Sequence, residues 1–100
     1  MVKKSDASAY LADVSADKYF WVNNGGVLKN MCELLAGLEE MDERTYSFHA
    51  NSAKNDFSKW VEEIIGDKKL SNELGMAKDK KSAADKVKKR IEKLRNAVNR

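Results

Sequence analysis

The sequence predicts an all-α fold, a compact bundle of four to five helices. Three stretches place apolar residues three and four positions apart, the spacing of one face of an α-helix. The 100 residues include no proline, the residue least compatible with the interior of a helix. Residues 18–22 are the one run with the composition of a β-strand, and no second strand is visible to pair with them.

The first 22 residues precede the main helices. Residues 1–16 are small and polar apart from Tyr10, Leu11 and Val14, so they either form one short helix or stay loose. Residues 18–22 read Lys-Tyr-Phe-Trp-Val and are followed at once by Asn-Asn-Gly-Gly, which is typical of a turn. We therefore expect an extended aromatic segment that lies against the helical core and ends at this turn.

Two amphipathic stretches follow and supply most of the predicted core. Residues 27–41 form one apolar stripe of about four helical turns. Residues 57–65 carry a second stripe, with Gly66 at the C-cap position and Asp67 able to cap a short helix after it. The predicted core residues are Val27, Leu28, Met31, Leu34, Leu35, Leu38, Phe57, Trp60, Val61, Ile64, Leu70 and Leu74.

A long basic helix is predicted at the C-terminus. Residues 76–100 contain ten Lys or Arg and three Asp or Glu, whereas residues 1–75 contain nine and thirteen. A helix from Lys80 to Asn99 would be about 30 Å long. Its apolar residues form a narrow seam, suited to packing on the body or on a second copy. The candidate partner seam is Val87, Ile91, Leu94 and Val98.

The chain is expected to form one domain in three parts: a segment at 1–16, a helical core at 17–75, and the basic helix at 76–100, packed on the core or on a partner. Its length and its 42% apolar content suit a single core. One cysteine favours a reducing compartment. The sequence has no apolar run of about 18 residues and no signal-peptide core. These features predict a cytoplasmic protein that does not enter membranes.

A pattern of spaced residues occupies the middle of the chain. It runs Gly26-x2-Lys29-Asn30-x2-Glu33-Leu34-x3-Leu38-x2-Met41 and then His49-x5-Asn55-Asp56-Phe57-x2-Trp60-Val61-x2-Ile64-x-Gly66-Asp67-x2-Leu70. Over residues 19–74 it resembles a family of small helical domains of uncharacterised function from archaeal and bacterial proteins. The chain has Gly25-Gly26 where that family has Asp-Gly, and Ser71 where it has Ala. The resemblance implies a compact helical fold, often appended to other domains, and supplies no catalytic residue or cofactor.

His49, Asn55 and Asp56 form the cluster that most resembles a chemical site. A histidine beside a carboxylate can act as a general base. The sequence offers it no second histidine, no paired nucleophile and no phosphate-binding glycine loop. The same residues fit a structural clasp, in which Asp56 reaches either the His49 ring or the Trp60 indole N–H. We therefore predict a clasp, no enzyme activity, no metal or cofactor and no small-molecule substrate, with Cys32 as a packing residue.

Two classes of function remain. The first is a non-enzymatic cytosolic module, structural or for protein interaction, that binds another protein or itself through the seam or a Phe20/Trp21 surface. The alternative is a small nucleic-acid-binding protein whose basic helix binds in a sequence-independent, salt-sensitive manner. Binding to a membrane surface is not expected, because the seam lacks the aromatic residues of interfacial helices. The candidate nucleic-acid contacts are Lys86, Lys89, Arg90, Lys93 and Arg100.

Overall fold

A computed structural model of the chain describes residues 2–100. A largely helical fold is confirmed, but within these residues six α-helices and a two-stranded hairpin replace the predicted four to five helices. The α-helices are α1 (Lys4–Leu11), α2 (Met31–Glu40), α3 (Glu43–His49), α4 (Asp56–Trp60), α5 (Lys68–Gly75) and α6 (Lys80–Val98). The hairpin strands are β1 (Phe20–Trp21) and β2 (Val27–Leu28). A 3-10 turn at Ala16–Lys18 precedes β1, and a π-helical turn at Val61–Ile65 continues α4.

The aromatic segment has a strand partner, which corrects the prediction that no second strand exists. Strands β1 and β2 are antiparallel, with Phe20 opposite Leu28 and Trp21 opposite Val27. Gly25 in the turn between them has a φ of 96°, a left-handed conformation that favours glycine. Val27 and Leu28 also fit the apolar spacing of the helix that follows. A strand of two residues is too short to show its own period of two.

Helix α2 begins at Met31 because the residue before it is an N-cap. The Asn30 side chain accepts a hydrogen bond from the Glu33 backbone N–H at 2.8 Å. The Glu33 carboxylate in turn accepts from the Lys29 backbone N–H at 2.9 Å. This reciprocal pair resembles a capping box and satisfies backbone donors at the start of the helix. The chain is therefore extended before Asn30 and helical after it.

The caps predicted between α4 and α5 are confirmed. Gly66 has a φ of 91° and ends the π-helical turn. Asp67 accepts a hydrogen bond from the Leu70 backbone N–H at 3.2 Å and so caps α5. Unlike most capping residues, Asp67 is buried. Its carboxylate therefore needs a partner inside the protein.

A single hydrophobic core extends through the chain from Ala7 to Ala97. Nine of the twelve predicted core residues are buried, and Val27, Leu35 and Ile64 are half-buried. Helix α6 packs against α1, α2 and α5, and α1 contributes Ala7 to the shared core. The segment predicted to be either loose or one short helix thus contains a packed helix. The predicted boundaries at 17 and 76 do not separate independent units.

Candidate nucleic-acid interface

Two adjoining grooves lie between α5 and α6. Their volumes are about 520 Å³ and about 130 Å³. The two grooves share Lys69, Arg90 and Lys93 as lining residues. We call this surface the basic groove and define it by the cations at its rim, which are Lys69, Lys86, Lys89, Lys93 and Arg100.

The spacing of cations along α6 explains why they share one side of the helix. Lys86, Lys93 and Arg100 follow one another at intervals of seven residues. Seven residues are close to two helical turns, or about 10.5 Å of rise. Lys86 and Lys93 therefore form a row beside the buried stripe of α6, and Arg100, two residues beyond the end of the helix, lines the same groove. Lys69 in the first turn of α5 faces the same groove and gives it a second cationic wall.

Arg90 does not face solvent, so its assignment as a nucleic-acid contact is wrong. Its side chain is 5% exposed and that of Asp67 is 1% exposed. The Arg90 Nε and Nη2 atoms donate to the two carboxylate oxygens of Asp67 at 2.7 Å and 3.0 Å. Such bidentate pairs have strong, specific geometry. Arg90 thus lies beneath the groove with its charge neutralised, and the surrounding lysines supply the positive charge.

Two acidic residues reduce the charge of the basic groove. The Lys89 ammonium lies 3.2 Å from the Asp85 carboxylate, and both side chains are well exposed. An exposed pair of this kind contributes little energy and can exchange partners. Glu73 lines the smaller groove. Within residues 2–100, no carboxylate forms an ion pair with Lys69, Lys86 or Lys93.

A larger cavity of about 710 Å³ lies at the beginning of α6. Carboxylates and ammonium groups both line it, so it has no excess of one sign that would select an anionic ligand. Its charged residues are Glu39, Asp79, Lys80, Lys81, Asp85 and Lys88.

His49 is hydrogen-bonded at both ring nitrogens. The Asn23 backbone N–H donates to Nε2 at 2.9 Å, so the proton is on Nδ1 and is donated to Asp56 at 3.0 Å. The ring is buried and lies 5.1 Å and 5.3 Å, between centroids, from Phe20 and Phe57. A general base needs a lone pair that can reach a substrate proton. Here the backbone occupies that lone pair, and the contacts fasten the hairpin turn to α3 and α4.

The other two clasp residues bind different partners. The Asn55 side-chain oxygen caps α4, and its Nδ2 donates to the Leu74 carbonyl at 3.1 Å. The Trp60 indole N–H donates to the Lys18 carbonyl at 2.8 Å. Of the two partners predicted for Asp56, the carboxylate therefore binds the His49 ring and not the Trp60 indole. The four side chains connect α4 to the hairpin, α3, α5 and the 3-10 turn.

Asp56 makes this clasp sensitive to acid. Burial raises the pKa of the Asp56 carboxyl, but hydrogen bonds from His49 and Lys54 outweigh burial and hold the pKa below its usual value. The ionised carboxylate thus stabilises the fold above about pH 4. This stabilisation is lost as the pH falls through the lowered pKa that Asp56 has in the folded protein. We expect the difference in unfolding free energy between the native protein and Asp56→Asn to shrink as the pH falls below the usual carboxyl pKa of about 4. Urea denaturation across this range measures the difference.

Two other carboxyl groups do not confound that comparison. The pKa of Asp17 is lowered by a hydrogen bond from Ser15, and that of Asp42 by hydrogen bonds from Thr45. Both groups titrate alike in the native protein and in Asp56→Asn, so their contributions cancel in the difference. A difference that stays constant throughout the acid range would show that the clasp does not depend on the Asp56 charge.

The predicted partner seam is not open to a partner. Val87, Ile91 and Leu94 are buried in the core, and Val98 is half-buried against it. Helix α6 uses this stripe to pack on its own domain. The interpretation of these residues as a partner seam is therefore wrong. Their apolar spacing had equally allowed packing on the body, and that is the arrangement in the structure.

The predicted Phe20/Trp21 surface is divided between core and solvent. Phe20 is buried, whereas the Trp21 side chain faces out and the residue is 69% exposed. Tyr19 is half-buried, and the Lys29 ammonium lies 5.9 Å from its ring centroid. Trp21 is thus the aromatic residue of the hairpin that remains accessible.

The described residues offer little other chemistry. Cys32 is half-buried, and the Arg95 Nη2 lies 3.5 Å from its sulfur. Within residues 2–100, no three or more His, Cys, Asp or Glu side chains are grouped so that they could hold a metal ion. No helix in that part of the chain combines the length and the apolar character needed to cross a membrane.

Sequence reasoning missed Lys69, which lies on a different helix from the other groove cations. Its position depends on how α5 packs against α6, and periodicity does not report that packing. The signal that could have found it is Asp67. A buried carboxylate requires a cation, and the partner Arg90 draws the first turn of α5 onto the middle of α6.

In the comparison with known proteins, no protein-family model, curated protein or solved structure matches this chain. The resemblance of residues 19–74 to the small helical domain family stays a prediction. The basic groove is the surface whose geometry bears most directly on function.

Proposed function

We propose that this protein is a small, non-enzymatic nucleic-acid-binding domain whose basic groove binds the phosphate backbone. One observation carries the proposal: Lys69 from α5 and Lys86 and Lys93 from α6 converge on one groove, and none of the three forms an ion pair with a carboxylate in residues 2–100. Clustered cations of this kind attract polyanions and release the counterions bound to them.

The chemistry of the groove favours contacts to phosphates over contacts to bases. Lysine ammonium groups act as point charges and do not recognise base edges with a planar, two-pronged geometry. Arg90 could make such contacts, but Asp67 occupies its guanidinium. Binding is therefore independent of sequence and falls steeply with salt.

Other features support a binding role over an enzymatic one. The hydrogen bond from the Asn23 backbone occupies the lone pair of His49, and Phe20 and Phe57 enclose the ring. The described hydrogen bond of the Cys32 thiol is with Arg95, a permanently charged group that cannot take up its proton. A cytoplasmic location is part of the same proposal, since a lone cysteine needs no oxidising compartment.

The alternative of a protein-interaction module retains one surface. Burial of Val87, Ile91 and Leu94 removes the seam from this hypothesis. The exposed Trp21 favours the protein-interaction hypothesis, because tryptophan is enriched at protein interfaces. One exposed ring provides less of a surface than the cations of the basic groove, so nucleic-acid binding is the better-supported proposal.

A charge-reversal experiment tests the basic groove. Fluorescence anisotropy with a labelled duplex of about 20 base pairs is expected to give micromolar binding at low salt, with a log–log salt slope of about −3 to −5. Replacing Lys69, Lys86 and Lys93 together by Glu is expected to weaken binding by about 100-fold or more, because three phosphate contacts become repulsive.

The matched control replaces Lys59, Lys81 and Lys88 by Glu, which changes the net charge equally at exposed positions outside the basic groove. This control is expected to lose much less affinity than the groove variant. Thermal melts establish that both variants are folded. Equal loss in the two variants would mean that net charge, and not the groove, attracts the duplex, and absence of binding at low salt would refute the proposal.

A further inference from the structure

We infer that the basic groove binds double-helical nucleic acid in preference to single strands. This inference rests on the proposed function and specifies its ligand. The groove combines a fixed row of cations with walls that carry no aromatic ring, and each feature favours a rigid duplex.

The row of cations is fixed because α6 cannot bend away from the body. The helix has 19 residues and is buried at intervals from Ala83 to Ala97. Its length is about 28 Å, and Lys86 and Lys93 lie about 10.5 Å apart along it. The Arg90–Asp67 pair ties α5 to the same helix, which fixes Lys69 relative to Lys93.

The lining of the groove offers no surface on which bases could stack. The described residues around the two cavities are charged, polar or aliphatic, and among them is no Phe, Tyr, Trp or His. The large apolar side chains most exposed in residues 2–100 are elsewhere: Trp21 in β1, Phe48 in α3 and Met76 after α5. Proteins that hold single strands commonly combine a cationic groove with stacking aromatic residues, and this groove has only the cations.

The fixed cations and the lack of a stacking surface both favour tighter binding of a duplex than of a single strand. A duplex carries one phosphate charge per about 1.7 Å of axis and already holds its phosphates in place. A flexible single strand has a lower charge density and must lose conformational entropy to match the row on α6. Base stacking normally offsets that cost, and here it does not contribute.

Anisotropy titrations at one low salt concentration test the preference. The probes are a duplex of about 20 base pairs and an oligo-dT of about 20 nucleotides, which forms no internal structure. We expect the duplex to bind about tenfold more tightly. The Trp21→Ala variant is expected to bind both probes as the native protein does, because the hairpin lies outside the basic groove.

Oligo-dT binding as tight as duplex binding would overturn the preference. Weaker oligo-dT binding by Trp21→Ala would overturn the explanation of the preference, because the hairpin would then supply stacking to the single strand. In either case, loss of binding in the variant with Lys69, Lys86 and Lys93 replaced by Glu would leave the proposed function intact. If neither probe binds, the proposed function itself has failed, so the two failures are distinguishable.

Discussion

Arg90→Met is expected to destabilise the protein by about 3–5 kcal/mol, although the substitution lies on the most basic helix of the chain. The reason is that Asp67, the ion-pair partner of Arg90, remains in the protein. Without the guanidinium, the Asp67 carboxylate stays buried with no counter-charge, and among residues 2–100 only the Leu70 backbone N–H still donates to it. For a domain of this size the loss corresponds to a fall in melting temperature of at least about 12 °C.

A double variant separates the loss of the pair from the loss of packing. Asp67→Asn combined with Arg90→Met removes both charges, and the Asn side chain can still cap α5. We expect the double variant to be more stable than Arg90→Met alone, because no unpaired charge remains. Urea denaturation monitored by circular dichroism gives the unfolding free energies of native, single and double variants.

Lys89→Met is the matched control for this comparison. It removes a cation one residue away on the same helix, but its ion pair with Asp85 is exposed to solvent. Its effect is expected to lie within about 0.5 kcal/mol. If Arg90→Met were as mild as this control, or if the double variant were no more stable than Arg90→Met, the buried pair would not have the role assigned to it.

The apolar spacing of the sequence alone indicates that Arg90 is buried, although its charge suggests that it is exposed with the other cations of the helix. Arg90 lies three residues after Val87 and four before Leu94, which places it on the apolar stripe. When Arg90 is grouped with the other cations of the helix, it is instead assigned to the exposed face as a nucleic-acid contact. A basic residue inside an apolar stripe predicts a buried acid on another element, and Asp67 at a helix start meets that requirement.

The longer elements could be predicted because their stripes span several turns. Helix α6 was expected over Lys80–Asn99 and is observed over Lys80–Val98. The hairpin could not be predicted in the same way, since each strand has two residues and Val27 and Leu28 keep helical spacing with the residues of α2. Their strand pairing depends on the turn and on the Asn30 cap, which are local features that periodicity does not measure.

Helix α1 shows where sequence patterns carry too little information. Its eight residues have no distinct apolar face, and Ala7 is its one fully buried residue. Helix α6 supplies the surface against which it packs. A short helix of this kind depends on tertiary contacts more than on its own propensity. The sequence therefore left open whether residues 1–16 form a helix.

Phe57→Ala is expected to cost about 3–5 kcal/mol in unfolding free energy, the range for removing a fully buried aromatic side chain. The Phe57 ring stacks between Phe20 at 5.1 Å and Tyr46 at 5.7 Å, measured between centroids. It also lies 5.3 Å from the His49 ring. Its loss would leave a cavity where the hairpin, α3 and α4 meet, and would loosen the packing that holds His49 against Asp56.

Phe48→Ala is the control, because the same side chain is removed from a position on α3 that is 51% exposed. We expect it to cost less than about 1 kcal/mol. Phe57→Leu retains much of the buried volume and should fall between the two, which keeps the test informative if Phe57→Ala does not fold. Thermal and urea denaturation of the three variants would establish this order. Similar losses at positions 48 and 57 would mean that the aromatic cluster does not form the centre of the fold.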